Sequence, residues 1–162
     1  MKVYRWGAGL LLGLLLGGCT PQAHDHSHEE RHAHTAPHGG GLTALGQEAA
    51  HLEITLNSDS GEVNVYLLDG SAEQAVRSES RQTLLLEVSE PVKEKLELLP
   101  VADSLSGETE ETSSRFLATS ASLKGQSKLK ASVAKVVVKG QNYSNIPVVF
   151  PEGIPESPPA ER

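Results

Sequence analysis

The chain has 162 residues, 38% of them hydrophobic and 4% aromatic, with a net charge of −7. The length argues against a multi-domain enzyme, and the acidic balance against a nucleic-acid partner, which needs a basic patch. A single Cys leaves no possibility of an intramolecular disulfide.

Residues 1–18 read as a secretory signal peptide. Lys2 and Arg5 form a positive start, Leu10 to Leu16 an apolar run broken only by Gly13, and Gly17 and Gly18 lead into Cys19. The apolar stretch is too short to span a bilayer, which takes about 20 residues as a helix. Leu16-Gly17-Gly18-Cys19 resembles a bacterial lipobox. That resemblance implies a diacylglyceryl group on Cys19, cleavage before it and acylation, such as palmitate, of its new amine. Several acyl chains on one residue anchor a protein stably, at about 0.8 kcal/mol per buried CH₂. In the Gram-negative lipoproteins that this segment resembles, an Asp after the Cys favours the inner membrane, so the resemblance implies for Thr20 the outer membrane, with the protein facing the periplasm. Without Lys2 and Arg5 the chain keeps 12 of its 14 basic residues against 21 acidic ones, a net of −9.

From Cys19 to Pro37 the chain carries no Leu, Ile, Val or aromatic residue. Such a segment buries too little to offset its ordering entropy, so a disordered tether is expected over 19–37. It holds His24, His26, His28, His32 and His34, and His38 follows, so six of the seven histidines fall within fifteen residues. A His-x-His tract of this kind suggests divalent metal binding. In extended chain, residues i and i+2 point the same way, and Asp25, Glu29 and Glu30 add oxygen ligands. With Cys19 acylated and Met1 removed, soft Cu(I) and blue-copper sites are excluded. Zn²⁺ is the first expectation, with Ni²⁺, Co²⁺ or Cu²⁺ as the others. The competing reading is a solvated spacer whose histidines bind nothing specific.

Beyond Pro37, short alternating apolar runs recur between turn signals. Strands are predicted at Leu42–Leu45, at His51–Leu56, with Leu52, Ile54 and Leu56 on one face, and at Val63–Leu67. Asn57-Ser-Asp-Ser-Gly61 makes the last two a hairpin. Thr83–Val88 is a Leu-rich strand that Glu90-Pro91 ends. Val92–Val101 has both helix formers and alternation, and the closing Pro100 favours extended structure. A polar loop follows over 103–114, then a strand at Arg115–Thr119 and a helical turn and loop over 120–127. Lys128–Lys139 and Tyr143–Phe150 flank the hairpin signal Gly140-Gln-Asn142. The four prolines of 151–162 mark a frayed tail. Strands at this spacing predict an all-β domain over 38–150. The expected form is an antiparallel sandwich, immunoglobulin-like or a similar Greek key, with a small barrel as the alternative. On the polar face of the second strand, His51 and Glu53 stand two residues apart. With His38 they would suit Zn²⁺ or Cu²⁺; otherwise His51 is an exposed histidine on a solvated face.

The segments Pro37-His-Gly-Gly40, Leu45-Gly46, His51-Leu-Glu53 and Gly61-Glu-Val-Asn-Val-Tyr-Leu-Leu-Asp69, with Ser114-Arg-Phe116 and Val138-Lys-Gly140 further on, carry a resemblance. They resemble small His-rich bacterial lipoproteins of planctomycete type, in which a β domain opens at His-Gly-Gly. The resemblance covers roughly 37–150, most closely 37–69. It implies a lipoprotein with a β domain, and neither an enzyme activity nor a particular ligand.

Together these features predict a lipid-anchored metal-binding protein of the cell envelope that buffers or delivers its ion to a transporter. The other reading is an interaction lipoprotein whose β domain docks an envelope protein. No GxSxG motif is present, and His51 is the one histidine within the expected strands that could act as a base, so no enzyme activity is expected.

Overall fold

A computed structural model describes residues 34–154. They form eight strands: β1 (Gly41–Leu45), β2 (Ala50–Asn57), β3 (Glu62–Leu68), β4 (Leu84–Glu90), β5 (Glu94–Pro100), β6 (Arg115–Thr119), β7 (Leu129–Val138) and β8 (Gln141–Phe150). A 3₁₀ turn at Ala121–Leu123 is the single helical element among the described residues. The ambiguous run before Pro100 is a strand, because Leu96 and Leu98 are presented to the core at a period of two.

All pairings are antiparallel, in the order β1-β2-β3-β6-β5-β4-β7-β8. One strand decides between sandwich and barrel. Residues Glu94–Leu98 of β5 pair with β4, while Leu99 and Pro100 pair with Leu117 and Phe116 of β6. β5 thus carries the sheet continuously from one half to the other, and the chain forms one nearly closed, barrel-like sheet. The seam lies between the first and last strands. There the Thr43 hydroxyl donates to the Pro147 carbonyl at 3.0 Å, and the Ile154 amide donates to the Leu42 carbonyl at 2.7 Å. Gly41 permits this approach, since a Cβ at that position would run into the Val149 carbonyl oxygen. Pro147 lies on the seam strand, as suits a residue with no amide to give a ladder. Gly153 and Ile154, read as part of a frayed tail, are tied to β8 and β1; residues 155–162 lie outside the described part.

Inward-facing residues alternate along each strand and fill the interior. Leu52, Ile54, Val63, Val65, Leu67, Leu84, Leu86, Leu98, Phe116, Val133 and Val148 are fully buried there. Each contributes about 1.5–3 kcal/mol relative to exposure. The outer face of β2 is also covered, contrary to the reading of a solvated His51. His51 is 3% exposed and Glu53 0%, because the segment leading into β1 lies over them.

Candidate functional site: a buried carboxylate under His38

Across β2, β3 and β6 the register aligns Glu53 with Tyr66 and Tyr66 with Arg115. These three outward residues form one row on the barrel wall, and residues 38–40 cross it at Glu53. Gly40 makes the crossing possible, since a Cβ there would run into the Ile54 carbonyl oxygen and lie 2.9 Å from Glu53 Cγ. Over the crossing, Glu53 receives three donors. The backbone amides of His38 and Gly40 donate to its Oε1 at 2.9 and 2.8 Å, and His38 Nδ1 lies 2.7 Å from its Oε2. A buried carboxylate needs such partners to stay favourable. The His-Gly-Gly segment thereby gains a physical account: a ring that caps the carboxylate and a glycine that lets the backbone approach it.

The plane of the His38 ring is set by a second contact. It stacks on Tyr66 with centroids 3.8 Å apart and planes 7° from parallel. Tyr66 is held in turn by Arg115, whose guanidinium carbon is 5.9 Å from the ring centroid. Arg115 Nε donates to Asn64 Oδ1 at 2.8 Å, and its Nη2 lies 3.5 Å from Glu62 Oε1.

A second histidine of the tract is seated nearby. The His34 ring meets the His51 ring edge-on, with centroids 4.8 Å apart. His34 Nε2 lies 3.5 Å from Glu48 Oε1, without hydrogen-bond geometry. His51 Nδ1 lies 3.0 Å from the Asp69 carbonyl oxygen and so donates to it. The Asp69 carboxylate organises the loop after β3, accepting from the Ser71 hydroxyl and the Glu73 and Gln74 amides. Desolvation pushes its pKa up, but these hydrogen bonds together outweigh it and hold the carboxyl below its ordinary value.

Of the residues singled out from sequence, His34, His38, His51 and Glu53 are therefore described, and His38 is brought to Glu53. His51 is held by a backbone carbonyl instead of converging with them. Among the described residues, no group of three or more His, Cys, Asp or Glu is placed to hold a metal ion. Cys19, His24, His26, His28 and His32 lie outside the described residues. Tyr66 and Arg115 were not singled out from sequence. The available signal was an aromatic on the polar face of an alternating strand, Tyr66 between Val65 and Leu67.

Elsewhere, an open groove of about 570 Å³ is lined by Leu129, Val149 and Phe150 among others. Its two lysines are already engaged, Lys130 with Glu90 at 3.1 Å and Lys128 with Glu152 at 2.8 Å. The hydrogen bond between Lys128 and Glu152 raises the lysine and lowers the carboxyl relative to their ordinary values. No family model, curated protein or solved structure matches the chain.

Proposed function

We propose that this is a lipid-anchored protein of the cell envelope, held by acylated Cys19, that binds a divalent transition metal through its histidine tract. Zn²⁺ is the favoured ion, and a transporter or other envelope protein is the expected recipient. The observation that carries the reading is the density of imidazoles, six within fifteen residues, in a chain whose mature form offers no free thiolate. Imidazole suits Zn²⁺, Ni²⁺ and Cu²⁺ alike. Support also comes from the domain itself, whose core is apolar and owes nothing to the tract. Metal binding is then a task of the tract rather than a condition of folding.

The test is calorimetric titration of the mature chain with Zn²⁺, beside a variant in which His24, His26, His28 and His32 are all Ala. The wild type should bind at least one equivalent. The variant should lose at least tenfold in affinity, and chelator should leave the thermal midpoint of both within about 2 °C. Equal binding by the two chains refutes the tract as the ligand source.

A further inference from the structure

We propose that copies of this chain associate head to tail. The leucine-tipped hairpin at one end of the barrel seats in the apolar groove at the other end of the next copy. This goes beyond the metal-binding reading and stands independently of it.

The registers place the two features. β4 ends where β7 begins, with Glu90 opposite Lys130, and Leu129 lies opposite Phe150 at the close of β8. The groove of about 570 Å³ lies there, lined by Pro91, Leu129, Val149 and Phe150 beside Lys128 and Lys130. β5 runs antiparallel to β4, so Pro100 and the loop after it emerge at the opposite end. The hairpin Asp103–Glu108 belongs to that loop. It is a strand's length from the groove and cannot enter the groove of its own chain.

The hairpin is firmly held and presents an apolar tip. Asp103 and Glu108 exchange backbone hydrogen bonds at 3.1 and 2.8 Å, and the Leu105 amide donates to Asp103 Oδ1 at 2.9 Å. Arg77 donates to the Ser106 carbonyl. At the base, the Glu108 carboxylate accepts from the amide and hydroxyl of Ser114 at 3.0 and 2.8 Å. Gly107 supplies the left-handed residue of the turn, at φ +75°. Leu105 is 98% exposed, more than any other large hydrophobic side chain among the described residues. A lone exposed leucine is ordinary. One fixed on a prearranged turn has little ordering entropy left to lose on docking.

The groove complements this knob in apolarity, size and charge. Its volume falls within the roughly 300–1,000 Å³ of ligand pockets, which accommodates a leucine with the turn residues beside it. The loops of the hairpin end, 46–49, 69–83, 101–114 and 139–140, carry eight acidic residues against three basic ones. Those of the groove end, 58–61, 91–93, 120–128 and 151–154, carry two acidic against three basic. Unlike ends therefore attract and like ends do not. Lys128 and Lys130 rest on the exposed carboxylates of Glu152 and Glu90. Exposed pairs of this kind are weak, so both lysines can turn to Asp103 or Glu111 of an arriving copy. Because knob and groove lie on opposite ends of one chain, the contact repeats and builds an open row rather than a closed pair.

The test uses the full mature chain with Cys19→Ser, which needs no detergent and has no thiol of its own. Sedimentation velocity from roughly 10 μM to 1 mM, the range of a small interface, should show mass rising with concentration past the dimer. Leu105→Ser should weaken association at least about tenfold, and Lys128→Glu with Lys130→Glu about fivefold or more. Circular dichroism checks that each variant is folded. Cysteines at the two ends then identify the contact. Oxidation of Leu105→Cys mixed with Ser127→Cys should give a disulfide dimer, and both changes on one chain a ladder, while each single variant alone stays monomeric. A chain that is monomeric throughout overturns the proposal. So does association that survives Leu105→Ser, or that keeps its parent strength in the lysine variant. A Leu105→Cys chain that dimerises with itself as readily as with Ser127→Cys would show hairpins meeting face to face, and would overturn the head-to-tail contact.

Discussion

Truncating Glu53 to Ala strips three donors of their acceptor in one step: the amides of His38 and Gly40 and the ring Nδ1 of His38. A hydrogen bond to a charged group is worth about 1.5–3 kcal/mol, so a simple sum would reach several kcal/mol. Two features reduce it. The His38 side chain is 41% exposed, so water can reach its donor once the segment loosens. The loss is also capped by what it takes to peel residues 34–40 from the barrel, because the core beneath them is closed by other strands. We therefore expect Glu53→Ala to cost about 3 kcal/mol, and Glu53→Gln, which keeps one acceptor oxygen, about 1 kcal/mol. A domain with the usual margin of about 5–15 kcal/mol remains folded in either case. Urea denaturation measures the loss, and native-state hydrogen exchange locates it. In Glu53→Ala the amides of His38 and Gly40 should lose protection while those of β7 exchange only as global stability dictates. Peeling would also wet His51, which is 3% exposed in the intact fold. An unchanged midpoint, or amides at 38 and 40 that stay protected in the Ala variant, would refute the clamp.

The remaining expectations concern other parts of the fold. Asp69 has a folded pKa below its ordinary 3.8. Its hydrogen bonds thus add stability at higher pH that is lost as pH falls through the folded value. Asp69→Asn should show a lower urea midpoint at pH 5–7 and a flatter decline below about pH 4; parallel acid limbs would count against it. Phe116 is fully buried and faces Val65 in the ladder, so Phe116→Ala should cost about 3–5 kcal/mol in chemical denaturation, and less than about 1.5 kcal/mol would mean the site collapses freely. Gly41→Ala would drive a methyl into the backbone at Val149. It should cost about 1–3 kcal/mol and speed exchange of the Ile154 amide, whereas an unaltered amide would show that the seam is not held there.

Alternation and punctuation made most of this architecture legible along the chain. Leu52, Ile54 and Leu56 against His51, Glu53 and Thr55 mark β2. Asn57 to Gly61 marks its turn, and the β-branched run of Val133 and Val136 to Val138 marks β7. A strand's period of two and the chemistry of a turn are local properties, carried by neighbouring residues whatever the rest of the molecule does. The histidine tract is likewise a property of composition. The closed form of the sheet is not local: it follows from β5 changing partners between Leu98 and Leu99. The site is not local either. Glu53 meets His38 across 15 positions, and Tyr66 and Arg115 join them only through the registers of β2, β3 and β6. Alternation assigned Glu53 to a polar face, but whether that face meets water or a crossing segment depends on the path of residues 34–40. That path is possible because Gly40 can lie against Ile54, a contact that exists only once β2 is in place.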